Sequence, residues 1–293
     1  MNFQYTKSDR VLLLANKVML VLFTLIILIP LAYILLASFL DPNVLLQKGL
    51  ALSTSDWTLE GYRRIFQNDA IVRGFFNAFL YSGLFALVTV LTSILAAYPL
   101  AIDGFKGKQI FMMFFIITMF FNGGLIPTYL VIKDLGMLNT IWAIVLPGAV
   151  SVFNIILART YFKAIPKELF EAARIDGASD LHIFFKIVVP LSKPIILVLA
   201  LYAFVAQWNS YFDAMIYLED PSTHPLQLVL RSILIQNEVQ PGMISDQLAM
   251  AELKKVSEMI KYSSIIISSL PLLIMYPFFQ KYFEKGAMVG SIK

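Results

Sequence analysis

The sequence contains no cysteine, and only two of its 293 residues are histidine. Without thiols the chain can form neither disulfides nor thiolate metal sites or iron–sulfur clusters. His182 and His224 lie far apart, and zinc needs three or four converging ligands, so no metal site is expected. Charge is scarce too. Asp, Glu, Lys and Arg make up 14% of the chain, against about a quarter in soluble domains. Gly107-Lys108 lacks the first glycine of a phosphate-binding loop and the Ser or Thr that should follow it, so no nucleotide site is expected there. There is no internal repeat, low-complexity tract or linker, and one domain over 1–293 is the economical reading.

What is abundant is apolar surface. The chain is 59% hydrophobic with a mean hydropathy of +0.76. This composition predicts an all-α, polytopic membrane helix bundle, because a helix satisfies its own backbone in lipid. The net charge of +4 fits cations flanking spans better than a nucleic-acid footprint. Runs near or above the roughly 20 residues needed to cross a bilayer lie at about Val18–Leu40, Phe75–Ile102, Ile110–Ile132, Leu138–Phe162, Pro194–Leu218 and Met259–Phe279. The first is too long for a signal-peptide core and is read as a retained span. The segment TLEGYRRIF predicts a short surface helix, and Ile244–Lys255 a further helical run.

Six spans put both termini on one side. That side carries fourteen Lys and Arg and the other nine, in longer loops, so the termini are expected in the cytoplasm. Two places within the spans stand out. Asn122-Gly123-Gly124 with Pro127 is expected to loosen the third span, either to line a pathway or to let helices pack closely. The fifth span holds Gln207, Trp208, Asn209, Ser210, Tyr211 and Asp213. Polar groups in a span normally face a bundle interior or water. Asn122, Trp208, Asn209, Tyr211 and Asp213 are therefore candidates for a translocation pathway, the alternative for the last four being an interfacial aromatic belt with a snorkelling acid.

The charged stretch between the fourth and fifth spans, Pro166–Pro190, reads PKELFEAARIDGASDLHIFFKIVVP. Pro166 suits a helix start, and Lys167–Asp176 contains good helix formers. Gly177 is placed to take the left-handed conformation past the helix end. Ser179 can cap a second helix, Asp180–Val189, expected to stop before Pro190. Ala172 and Ala173 keep the first helix slim enough for another surface to approach. Read from the residues alone, the stretch is equally an amphipathic segment on the membrane surface.

Glu171-Ala172-Ala173, three residues, Gly177, nine residues, Ile187 and Pro190 resemble the EAA motif of permease subunits of binding-protein-dependent ABC importers. Val189 stands where the motif usually has Leu. Phe121–Leu130, Gln207–Phe212 and the tail QKYFEKGAMVGSIK are similar to carbohydrate permeases related to the second maltose permease, the first and last also to the polysaccharide and oligosaccharide subgroup. The resemblance implies a transport subunit, not an enzyme, in a bacterial cytoplasmic (inner) membrane. Its implied partners are a second permease in a heterodimer, two ATP-binding subunits that hold ATP and Mg, and an extracytoplasmic solute-binding protein. No cofactor is implied in this chain. Glu171, Ala172, Ala173, Asp176 and Gly177 would form the coupling helix that docks on an ATPase subunit. Gln236–Glu258 would touch the binding protein, and Gly290–Lys293 would reach the ATPase interface. The cargo implied is an oligosaccharide or polysaccharide fragment. Alternatives are an ABC permease for another small solute, an ion-coupled secondary transporter, or a membrane scaffold.

Overall fold

The computed structural model describes residues 6–41, 44–45, 49, 57–236 and 247–289; in the last two helices, side chains are described to 235 and over 258–280. The elements are helical, with a single isolated bridge between Leu40 and Trp57 among the described residues. The chain divides into two compact units, Met1–Asn68 with Ile233–Ser269, and Asp69–Ser232 with Leu270–Lys293.

The first unit holds α1 (Lys7–Ala37), α2 (Glu60–Gln67) and the first part of α13 (Gln247–Val289). Thr6 opens α1 with a capping box: its hydroxyl accepts from the Asp9 amide, and Asp9 accepts from the Thr6 amide. Beyond Lys17, α1 is apolar on every face but for Thr24, whose hydroxyl donates to Leu20 O, and most of its large side chains from Val11 to Leu35 are exposed. A helix hydrophobic all round belongs in lipid or in a larger assembly. Gly61 of α2 lies against Ser263 and the Met259 carbonyl of α13, closer than any β-carbon could sit. This close approach needs glycine.

The second unit is built around α3 (Asp69–Ala101). The elements that follow are α4 (Lys108–Phe120), α5 (Leu125–Asp134), α6 (Trp142–Val145), α7 (Val152–Lys163), α8 (Lys167–Ile175), α9 (Asp180–Leu191), α10 (Lys193–Trp208), α11 (Phe212–Tyr217) and α12 (Leu226–Gln236). Both α7 and α10 pack along α3. The stripe of α3 that is buried includes Ala78, Ser82, Ala86, Thr89, Ser93 and Ala97, spaced by three or four residues. In lipid the hydrophobic effect does not drive helices together; small residues that let backbones approach do. Toward the C-terminal end of α3 a core forms from Ile94, Ala97, Tyr98, Ile155, Phe162, Phe184, Val188 and Leu199, among others. Toward its N-terminal end a second core joins Tyr81, Ile132, Ile144, Ala214, Tyr217 and Leu228.

The all-α membrane bundle expected from composition is what folds, but several spans are not straight rods. Among the described residues, three helices are long and apolar enough to cross a membrane: Lys7–Ala37, Asp69–Ala101 and Glu258–Gln280. The third expected span is α4 and α5, bent by 111° at Phe121–Gly124. There Asn122 Oδ1 accepts from the Gly124 amide at 3.0 Å, and Gly124 takes φ +82°. This local side-chain bond replaces a helical one. The fourth expected span is also not one helix. It divides between α6 and α7, because Pro147 supplies no amide donor and Gly148 follows it. Gly148 packs close to Phe85, where a β-carbon would meet ring Cε2 at 3.2 Å. The final span merges with the expected Ile244–Lys255 helix; from Gln247 on, one helix of 43 residues runs to Val289 through Pro271 and Pro277. Residues 244–246 lie outside the described residues.

Candidate functional site

The charged stretch folds as a helix, a corner and a second helix. Pro166 is the N-cap, and α8 begins at Lys167, one residue later than expected. Its end is closed by paired hydrogen bonds. The Ala178 amide donates to Ala173 O at 2.9 Å, and the Gly177 amide to Arg174 O at 3.0 Å, with Gly177 at φ +79°. This is a Schellman motif, which satisfies carbonyls that the helix end leaves free. Ser179 then caps α9, its hydroxyl accepting from the His182 amide at 3.3 Å.

The second helix departs from expectation at its far end. It does not stop before Pro190 but continues to Leu191, through a π-helical turn at Phe184–Val188. A regular helix would drive the proline ring into the carbonyl four residues earlier; a wider turn relieves that clash. The Ser192 amide still finds Val188 O at 2.9 Å. The helix then bends by 77° into α10.

The two faces of α8 differ. Phe170 and Ala173, with Ala178 beyond the corner, pack against the core that includes Tyr98, Phe162 and Phe184. Glu171, Ala172, Asp176 and Gly177 are exposed on the other side. Ile175 is 86% exposed and Leu181 70%, so apolar side chains stand uncovered in a polar segment. The neighbouring alanines thus have different surroundings: Ala173 packs inward and Ala172 lies open.

Around α8 the charges are tied to the rest of the bundle. Asp103, in the turn between α3 and α4, pairs with Lys167 at the start of α8 and with Lys108 at 3.6 Å. The Lys167 hydrogen bond, followed by the Lys167 and Lys108 charges, holds the Asp103 carboxyl below its ordinary value. The same bond, followed by the Asp103 charge, raises Lys167. Across the corner Arg174 reaches Asp180 at 3.5 Å. The Tyr98 hydroxyl donates to Asp180 O at 3.3 Å, and Arg159 Nε donates to Leu100 O at 3.0 Å. Between α8 and the α3–α4 turn lies a cavity of about 300 Å³ lined by Asp103, Phe162, Lys163, Phe170, Glu171 and Arg174, among others. Asp103 gave no local sign in the sequence of its link to Lys167; only folding brings the two together.

The pathway candidates do not form one cluster. Asn122 lies exposed at the break between α4 and α5. Trp208 is 1% exposed, stacked on Phe204 at 5.9 Å and edge-on to Phe75 at 5.5 Å, so its ring is part of the packing. Asn209 caps α10, its amide group donating to Val205 O at 2.9 Å. Tyr211 is exposed, and Asp213 is half-buried on α11. Over the Tyr211 ring sits the guanidinium of Arg231 from α12, 5.0 Å from the centroid. The sequence reading did not single out Arg231; the available signal was a lone cation inside the apolar run LQLVLRSILIQ. Residues 237–246 of Gln236–Glu258, together with its side chains up to 257, and all of Gly290–Lys293 lie outside the described residues, and no group of His, Asp or Glu that could hold a metal occurs among the described ones.

Broken spans packed around α3, with a capped helix–corner–helix between α7 and α10, make this unit a membrane helix bundle. Comparison with known proteins gives the family. Residues 69–288 match the family model for the binding-protein-dependent transport system inner membrane component, and the chain belongs to that family. It is 39% identical over 275 residues to the polygalacturonan/rhamnogalacturonan transport system permease protein YtcP of Bacillus subtilis, covering 94% of this chain and 95% of that one. It is 36% identical over 288 residues to protein LplC of the same organism, covering 98% and 97%. A chain in the crystal structure of a bacterial ABC transporter involved in the import of the acidic polysaccharide alginate superimposes with a TM-score of 0.84 at 32% identity, over 96% of this chain and 100% of that one.

Proposed function

We propose that this chain is one of two membrane subunits of an ATP-driven importer for an oligosaccharide bearing uronic acid units, delivered by a solute-binding protein. The observation that carries this reading is likeness over nearly the whole chain to a permease for polygalacturonan and rhamnogalacturonan, supported by the alginate importer. In this reading ATP and Mg belong to two separate ATPase subunits, and the second permease completes the pathway. Both termini and α8 lie in the cytoplasm of a bacterial cell, as the excess of basic residues on that side supports.

The geometry suits mechanical coupling. The uncovered face carrying Glu171, Ala172, Ile175, Asp176 and Gly177 docks on an ATPase subunit, with Ile175 and Leu181 supplying apolar contact. Glu171 supplies a charge-assisted one. The inner face is packed through Phe170 and Ala173 into the core shared by α3, α7, α9 and α10. Close-packed interiors transmit displacement and do not absorb it. A shift of α8 on ATPase closure therefore tilts those helices together and exchanges inward-facing and outward-facing states.

The test is purification of this chain from its native membrane in mild detergent, identification of co-purifying proteins and assay of ATP hydrolysis. A second permease and an ATPase are expected, with hydrolysis raised by the binding protein loaded with an oligogalacturonate. A lone polypeptide without ATPase activity would overturn the reading.

A further inference from the structure

Arg231 is the lone charged residue of α12, which otherwise buries Leu226, Leu228, Val229 and Leu230. Its side chain is turned toward α11 and the residue before it. The guanidinium lies over the Tyr211 ring, and Nη1 approaches Met215 Sδ at 2.9 Å. Neither neighbour is a strong acceptor. A thioether accepts hydrogen bonds weakly, and an aromatic face attracts the cation without engaging its N–H fork. Among the described residues, no Asp or Glu lies within ion-pair distance of Arg231. Asp213 stands on the same short helix as Met215 and is half-buried. Tyr211 is 38% exposed and Met215 39%, so the pair is open to an incoming molecule.

We propose that Arg231 and Tyr211 form a subsite for the carboxylate of a uronate unit during translocation. The inference rests on the cargo class proposed above and adds the residues that select its charge. A guanidinium presents N–H donors in a planar fork that matches both oxygens of a carboxylate. The Tyr211 ring lies against the guanidinium, and Nη1 rests on the weak acceptor Met215 Sδ, which a carboxylate oxygen can replace. A neutral sugar leaves the fork unmatched, so the site favours acidic over neutral units. One cation on α12 also suits a transport intermediate, which must bind well enough to enter and weakly enough to leave.

The experiment uses the complete complex, with its partner permease, ATPase subunits and binding protein, in proteoliposomes. Uptake of an oligogalacturonate is compared with that of its neutral methyl ester and of a neutral oligosaccharide, for wild type, Arg231→Gln and Arg231→Lys. Basal ATP hydrolysis, read alongside, reports folding and assembly. Arg231→Gln is expected to lower uronate uptake about tenfold or more, the loss of one charge-assisted contact, with neutral uptake and basal hydrolysis unchanged. Arg231→Lys is expected to restore part of it. Unchanged uronate uptake in Arg231→Gln would overturn the subsite, and so would an equal loss for acidic and neutral cargo. A wild-type complex that imports neutral oligosaccharides and no uronate overturns the cargo assignment itself; that result is read before any variant is compared.

Discussion

Gly177 is where local geometry makes the sharpest demand. Its φ of +79° closes the Schellman pair at the end of α8, and a β-carbon built there meets nothing within 4 Å. Any penalty in the isolated chain is therefore one of backbone conformation, with no clash inside the molecule. For an L-residue the left-handed region costs about 1–2 kcal/mol, which shifts the corner's equilibrium by a factor of about 5–30. Asn tolerates this region best, Ala less well and Val least. If coupling depends on the corner, ATPase stimulation by loaded binding protein falls in the order Gly177, Asn, Ala, Val, with the Val variant at roughly a tenth of wild type or below. The assay is stimulated hydrolysis together with uptake in proteoliposomes, with ATPase retention after purification as the control for assembly. Equal activity for the Asn and Val variants would refute the reasoning from backbone conformation. Equal abolition by Asn and Ala would point instead to a partner surface that leaves no room for a side chain.

Three further changes test other parts of the structure. Ala97, fully buried on α3 against the core with α7 and α10, cannot accept bulk: Ala97→Leu is expected to destabilise the permease by about 1–3 kcal/mol, read as a lower unfolding midpoint in detergent. Glu171 is exposed and takes no part in the core, so Glu171→Lys should leave that midpoint unchanged yet reduce the ATPase that co-purifies; a shifted midpoint with intact co-purification would contradict this. Asp103→Asn should loosen the start of α8 and lower the coupling ratio, and the exchange Asp103→Lys with Lys167→Asp should restore it. Asp103 lies below its ordinary value of 3.8 and Lys167 above its ordinary value of 10.5. The carboxylate contribution is lost only as pH falls through the lowered Asp103 value, and the ammonium contribution only as pH rises through the raised Lys167 value. The Asp103→Asn defect is therefore expected to be constant from about pH 5 to about pH 9, and a defect that vanishes inside that window would refute the ion pair.

The helix–corner–helix was legible because capping is local chemistry. Gly177 and Ser179 act on amides and carbonyls within a few residues of themselves, and the spacing of the segment carries that information. The membrane class was legible for a similar reason, since the bilayer reads apolar length. The shape of the spans was less so. Asn122-Gly123-Gly124 marked a place where a span loosens, but Pro147 was read through, and the 111° bend between α4 and α5 is not contained in the run of apolar residues. Pro190 misled, because a proline stops a regular helix but passes through one that widens ahead of it.

The sequence by itself determined that the chain is helical and spans a membrane, where the charged corner falls, and which residue turns it. All of these depend on contacts a few residues apart or on the thickness of lipid. Only the tertiary structure decided that Ala173 packs inward while Ala172 lies open, that Asp103 ties the α3–α4 turn to Lys167, that Trp208 is packed between Phe75 and Phe204, and that Arg231 lies over Tyr211. The last three join residues from different elements, and the first depends on which neighbours cover one face of α8. A linear pattern does not encode which helices meet, because in lipid an apolar face is equally well covered by lipid tails or by another helix, and the choice falls to close packing.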